Sequence, residues 1–246
     1  MYDFYSDFER LGIRKGDTVL MHSSMKALGT SRTPETFLTA LCEYLGERGT
    51  LVLPTLSYDF VHANGNVFSL KETPACIGLL PNVFMQLEGA VRSMHPTHSC
   101  TAKGYLAKEL THRHEKDVTP VGENSPFRLL PQVDGKILML GEVNDHNTFM
   151  HGMEEIAKAP YCLAKETRLY TLIDANGEKI QKEMYPHWFQ TVARQCYSRA
   201  EVLLPTDKIS RGKVCAANCT LLDAAALQAV AVPKMQEEPY YFVDLK

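Results

Sequence analysis

Thr18-Val-Leu-Met21, followed by Thr33-Pro34-Glu35 and then by Gly49-Thr-Leu-Val-Leu-Pro54, decides the fold class of this chain. The first and third segments are short apolar runs of the kind that form strands buried on both faces. Between them, Thr33 is an N-cap residue and Pro34 stands at the first helical position. The helix it starts is expected to reach Leu45 and stop at Gly46. Strand, helix and strand with short links make a β-α-β unit, which requires parallel pairing and an α/β fold.

The surrounding sequence extends this pattern. Asp3 to Leu11 carries Phe4, Phe8 and Leu11 at helical spacing, and Gly16-Asp17 turns the chain into the first strand. Residues 57–78, with Asn64-Gly65 and Pro74, read as a long ordered loop. Leu79–Met85 and Pro126–Pro131 read as short helices, and Lys136-Ile-Leu-Met-Leu140 as a strand. Farther on, Arg168–Ile173 and Lys179–Met184 flank Asn176-Gly177, a hairpin signal. His187–Ala200 is expected to be helical, Lys213–Ala217 a strand and Leu221–Val230 a helix. No repeat or linker divides the 246 residues. The expectation is one domain over 1–246, with 163–246 as a subdomain inside it.

Composition narrows the function classes. Hydrophobic residues make up 45% and charged residues 22%, as in an ordinary globular protein, and the net charge of -3 leaves no basic run to neutralise phosphates. Nucleic acid is not an expected partner. No apolar stretch approaches a membrane span, and the acidic start of the chain lacks the pattern of a secretory signal, so a cytoplasmic protein is expected. The odd number of cysteines, seven, fits reduced thiols. Cys215 and Cys219 form a C-x3-C pair without the second pair that a structural zinc site needs. G-x-G-x-x-G, P-loop and G-x-S-x-G motifs are absent.

Several polar clusters follow the expected strands, where open α/β sheets gather their ligands. His22-Ser23-Ser24 follows the first, and its serines suit either a ligand or a helix cap. Ser57-Tyr58-Asp59 follows the second. Arg92-Ser-Met-His95-Pro-Thr-His98-Ser99 concentrates a cation, two imidazoles and hydroxyls, and reads equally as a polar turn. After the 136–140 strand, His151 and Glu154 stand three residues apart on a segment that can be helical, which puts both on one face. An imidazole beside a carboxylate suits proton transfer; the same spacing also occurs in solvated pairs.

Taken together these clusters resemble the aminoglycoside 3-N-acetyltransferase family. Met21-His22-Ser23-Ser24-Met25-Lys26-Ala27-Leu28-Gly29 is similar to its H-S-S-x-x-x-x-G motif, and Gly49–Thr55 follows in the matching place. Arg92-Ser93-x-His95-Pro96-x-x-Ser99-x-x-Ala102-x-Gly104 matches a second motif. Ser125-Pro126, Asp134-Gly135-Lys136, Gly141 and Thr148-x-x-His151-x-x-Glu154 complete the order. The resemblance runs from about residue 12 to 162.

It implies a mixed central sheet flanked by helices, distinct from the small GNAT-type acetyltransferase fold, whose R/Q-x-x-G-x-G/A loop is absent. It also implies acetyl-CoA as co-substrate, no metal, and direct acetyl transfer to a small-molecule amine of an amino sugar or aminoglycoside, the chemistry of antibiotic resistance. His151 becomes the general base, Glu154 its support, and Thr148 the group that positions the thioester. Ser23, Ser24, Met25, Lys26 and Ser99 are carried over as the CoA side. Tyr58, Asp59, Asp145 and Glu155 are assigned to the acceptor, with 163–246 as the acceptor-binding subdomain; a homodimer is the expected assembly.

His146 departs from the family pattern, standing where a Ser is common. So does Gly152, which costs a helix about 1 kcal/mol against Ala. Tyr185-Pro-His-Trp-Phe189 suits either sugar stacking or a core. Two other readings stay open: an acyl-CoA-binding homologue with little catalysis, and a metal-dependent hydrolase built from His95, His98, His151 and Glu154.

Overall fold

The computed structural model describes residues 4–246; Asp3, the first residue of the expected N-terminal helix, lies outside the described residues. Helix α1 (Phe4–Leu11) leads into strand β1 (Thr18–Ser23), a single helical turn α2 (Met25–Leu28), helix α3 (Pro34–Leu45) and strand β2 (Thr50–Pro54). Thr33 caps α3 as its sequence requires, its hydroxyl oxygen accepting the Thr36 N–H at 3.2 Å. Gly46 ends the helix at φ 73°, in the left-handed region. Strand β1 runs two residues beyond its apolar run and takes in His22 and Ser23, because five successive residues pair with the central strand at 136–140.

The middle of the chain holds α4 (Tyr58–Ala63), β3 (Val67–Ser69), α5 (Leu79–Phe84), β4 (Val91–Arg92), β5 (Cys100–Gly104), α6 (Ala107–Thr111), α7 (Pro126–Leu129), β6 (Lys136–Leu140) and α8 (Phe149–Ala157). The expected loop at 57–78 thus contains a helix and a strand. Val61 and Phe68 bury there against Tyr170, Leu172 and Met184, which local sequence does not announce.

The last third supplies β7 (Arg168–Ile173), β8 (Lys179–Met184), β9 (Val192–Gln195), β10 (Ile209–Val214), β11 (Ala217–Asp223), α9 (Ala224–Glu237) and β12 (Val243–Leu245). The 168–184 hairpin forms as read, with Gly177 at φ 85° in its turn. Three expectations fail nearby. Residues 187–200 are not a helix: they hold β9, which pairs with β12, and then a 3₁₀ turn at Tyr197–Val202. The single strand expected at 213–217 is split: Lys213 and Val214 end β10, Ala217 opens β11, and the chain turns between them with Cys215 at φ 51°. Leu221 and Leu222 belong to β11, where pairing with Leu138 and Ile137 overrides helix propensity; α9 starts only after Asp223, which caps it.

Seven strands form the main sheet in the order β10-β11-β6-β1-β2-β5-β4. The central β6-β1-β2 trio is parallel and its outer neighbours are antiparallel, so the sheet is mixed. Strand alternation divides the core. Val19 and Met21 pack with α1, α3 and α5 on one face, while Leu20 packs with α6 to α9 on the other. Strand β3 joins the β7–β8 hairpin in a separate three-stranded sheet. Among the described residues, no helix is long and apolar enough to cross a membrane.

Candidate active site

The carboxyl ends of the three parallel strands open onto a cleft of about 590 Å³. Ser23 from the end of β1, Tyr58 from α4, His98 from the β4–β5 connection, Thr148 at the N-cap of α8 and His151 within that helix line it, together with Pro186, His187, Phe189 and Tyr197.

Thr148 is the N-cap of helix α8. There the backbone N–H is donated to Nε2 of His22 at 2.9 Å, so His22 carries its ring proton on Nδ1. Burial, with some repulsion from His151 and His146, pulls the His22 pKa down to about 3 and keeps the ring neutral. One turn later, His151 Nδ1 donates to Glu154 Oε2 at 2.8 Å. Glu154 is fully buried, and its other oxygen accepts hydroxyl protons from Tyr161 at 3.1 Å and Tyr197 at 2.9 Å. Three donors on two oxygens is the bonding pattern of a carboxylate. Burial and the Glu154 charge push both tyrosine hydroxyls above their usual pKa, so they remain donors. With Nδ1 committed to Glu154, Nε2 of His151 carries the lone pair. An imidazole oriented by a buried carboxylate can accept a proton from a bound nucleophile and hold the resulting charge.

Glu155, the next residue, points elsewhere. It accepts the Thr119 hydroxyl at 2.6 Å, the Val121 N–H at 2.8 Å and His187 Nε2–H at 3.0 Å. Burial raises its pKa despite these bonds. It positions His187 rather than facing the cleft.

The Arg92–Ser99 stretch is largely scaffold. The Arg92 guanidinium binds the carbonyls of Thr55 at 3.0 Å and Thr73 at 2.5 Å, and the Ser99 hydroxyl at 3.0 Å. Ser99 is fully buried and donates to the Thr55 carbonyl, so it does not line the cleft. His95 stacks on His114 with centroids 4.7 Å apart, and its Nδ1 accepts the His98 N–H at 3.0 Å. The tetrad of His95, His98, His151 and Glu154 therefore does not assemble. Among the described residues, the group at metal-ligand distance is His98, His151 and His187.

Other sequence candidates separate in space. Ser23 and Tyr58 line the cleft; Asp59 is exposed on α4 and does not. Ser24 precedes α2, Met25 packs against the core and Lys26 is exposed. These residues meet the loop after β6 closely. A Cβ on Gly141 would fall 2.5 Å from Ala27 Cβ and 3.0 Å from Ser24 Cβ, which explains the glycine in that motif. Asp145 accepts the Ser198 N–H at 2.9 Å. It lines a second, more open depression with Glu142 and Glu201, which meets the first at His146. The sequence did not single out His187, Tyr161 or Tyr197. His187 was present only within the aromatic cluster at 185–189, which supplies part of the cleft wall while Tyr185 and Trp188 stay exposed.

The family model described as aminoglycoside 3-N-acetyltransferase matches residues 20–236, so the match extends well into the last third of the chain. The chain belongs to this family. Acetyl-CoA is the co-substrate of that class. The chain is 36% identical over 197 residues to aminoglycoside N(3)-acetyltransferase VII of Streptomyces paromomycinus, an alignment covering 73% of this chain and 67% of that one. Further curated relatives are spanned over only about 60% of their length. The crystal structure of aminoglycoside acetyltransferase AAC(3)-Xa superposes with a TM-score of 0.82 at 28% identity, covering 96% of this chain and 92% of that one. A second solved structure, AAC-IIIb with CoASH, has the same fold, with a TM-score of 0.82 at 23% identity over 95% of each chain.

Proposed function

We propose that this chain transfers the acetyl group of acetyl-CoA directly to an amino group of an aminoglycoside or related amino sugar, with His151 as general base and Glu154 as its support. The observation that carries this reading is the Glu154 carboxylate 2.8 Å from His151 Nδ1, at the edge of a cleft large enough for a small ligand.

The amine nitrogen attacks the thioester carbon as His151 Nε2 takes one of its protons. The C–S bond then breaks, CoA leaves as a thiolate, and the imidazolium or solvent returns the proton to sulfur. Glu154 fixes the tautomer that leaves Nε2 able to accept, then stabilises the imidazolium. The Thr148 side chain makes no capping bond and borders the cleft, which leaves its hydroxyl for the thioester oxygen. Ser23 serves the pantetheine side. The acceptor lies against Tyr58 and the Pro186–Phe189 wall. The carboxylates of the adjoining depression, Glu142, Asp145 and Glu201, suit the further ammonium groups of such a substrate.

The test is release of CoA thiol over a panel of amines containing aminoglycosides and nucleotide-linked amino sugars. Turnover with an amino sugar, lost in His151→Ala, is expected. Full turnover in His151→Ala would exclude it as the base. Acetyl-CoA binding with no turnover on any amine would leave a binding protein instead.

A further inference from the structure

We infer that His98, His151 and His187 form a site for a divalent transition-metal ion, with Zn²⁺ as the matching ion, and that metal held there inhibits acetyl transfer.

The three rings come from distant parts of the chain, yet one nitrogen of each lies within 4.8 Å of the others. Each ring is already held through its remaining nitrogen. His151 Nδ1 bonds to Glu154 at 2.8 Å, His98 Nδ1 to the Thr97 hydroxyl at 2.9 Å, and His187 Nε2 to Glu155 at 3.0 Å. That leaves Nε2 of His98, Nε2 of His151 and Nδ1 of His187 turned inward. His187 Nδ1 is buried and makes no hydrogen bond. With its Nε2–H donated to Glu155, this nitrogen carries an unsatisfied lone pair, and a cation is the partner that fits it. Outer carboxylates and hydroxyls that fix a ligand's tautomer are the surroundings of zinc-binding histidines. Three imidazoles leave the fourth position of a tetrahedral ion open, here toward the cleft. Zn–N bonds of about 2.0–2.1 Å place the nitrogens about 3.4 Å apart, so the widest pair closes by somewhat more than 1 Å on binding.

This ion is not a cofactor of the transfer. It occupies the lone pair with which His151 takes the amine proton, so metal and proton transfer exclude each other. Binding itself depends only on the imidazoles and is read without acetyl-CoA, so its failure is separable from failure of the proposed transferase reaction.

The experiment titrates chelator-treated protein with Co²⁺ and follows the visible bands of a tetrahedral nitrogen site, then displaces Co²⁺ with Zn²⁺. One equivalent with tetrahedral intensity is expected. His98→Ala and His187→Ala should each lose the bands. Glu155→Gln, which keeps all three ligands, should weaken binding roughly 10–100-fold. Near-ultraviolet circular dichroism confirms that each variant is folded. Absence of the bands in the wild-type protein, or their persistence at unchanged affinity in folded His98→Ala and His187→Ala, overturns the assignment.

Discussion

Glu154→Gln separates the orienting role of this carboxylate from its place in the core, because the replacement is nearly isosteric. Glu154 takes hydroxyl donors from Tyr161 and Tyr197 on one oxygen and the imidazole proton on the other. A glutamine has a single acceptor oxygen. With that oxygen on the two tyrosines, its NH₂ group faces His151 Nδ1 and forces that nitrogen to accept. The ring proton then moves to Nε2, the nitrogen that must receive the amine proton. A second loss appears in the transition state, when the forming imidazolium no longer has a negative charge beside it. Two unit charges about 4 Å apart at an effective dielectric near 20 interact by about 4 kcal/mol, worth roughly 10³ in rate. The reversed tautomer carries the expected fall in kcat to roughly 10³–10⁴-fold, the scale of the corresponding change in a serine-protease triad. Thiol release under saturating acetyl-CoA measures it, with KM for acetyl-CoA moving only a few-fold. A folded Glu154→Gln protein within tenfold of wild-type kcat would refute the reasoning.

Three further outcomes follow from the packing. Gly152→Ala gains about 1 kcal/mol of helix propensity, but its Cβ would meet Val121 Cγ1 at 2.9 Å and Arg128 Cδ at 3.0 Å. Overpacking of about 1–3 kcal/mol should win, and a raised Tm would contradict this. His22 and His114 are held to a pKa of about 3 by burial, against 6.5 for the exposed ring. Below pH 6.5 the unfolded chain therefore binds protons that the fold does not, so the stability they confer is present at neutral pH and falls as pH drops. The two together cost roughly 2–3 kcal/mol between pH 7 and 5.5, read as a falling urea midpoint; a flat midpoint would count against it. Thr33→Ala removes the α3 cap and should cost about 1 kcal/mol in the same titration.

The elements that were legible carried their own instructions. Strand β1, helix α3 and strand β2 are marked by apolar runs, a Thr-Pro cap and a closing glycine within one continuous segment. Strand β3 is not marked, because its partner β7 lies about a hundred residues away and the pairing supplies what the local pattern lacks. Leu221 and Leu222 suit a helix until β6 claims them. The site divides in the same way. His151 and Glu154 share one helical turn and could be seen together. His187 reaches the cleft through Glu155, 32 positions earlier, and through a backbone bridge with Leu163. Tyr197 lies on a segment whose spacing mimics a helix, which hid its hydroxyl from any reading of local pattern.

The neighbouring carboxylates Glu154 and Glu155 also govern how the cleft can move. One binds Tyr161 and Tyr197, the other His187, Thr119 and Val121. Swinging the 186–197 wall outward would break buried bonds to both at once, so the wall and α8 travel as one body. Ligands then enter through the open mouth rather than a parted wall. The Trp188 amide, bonded to the Cys162 carbonyl at 2.7 Å, should exchange with deuterium as slowly as the amides of α8, although its indole stands in solvent.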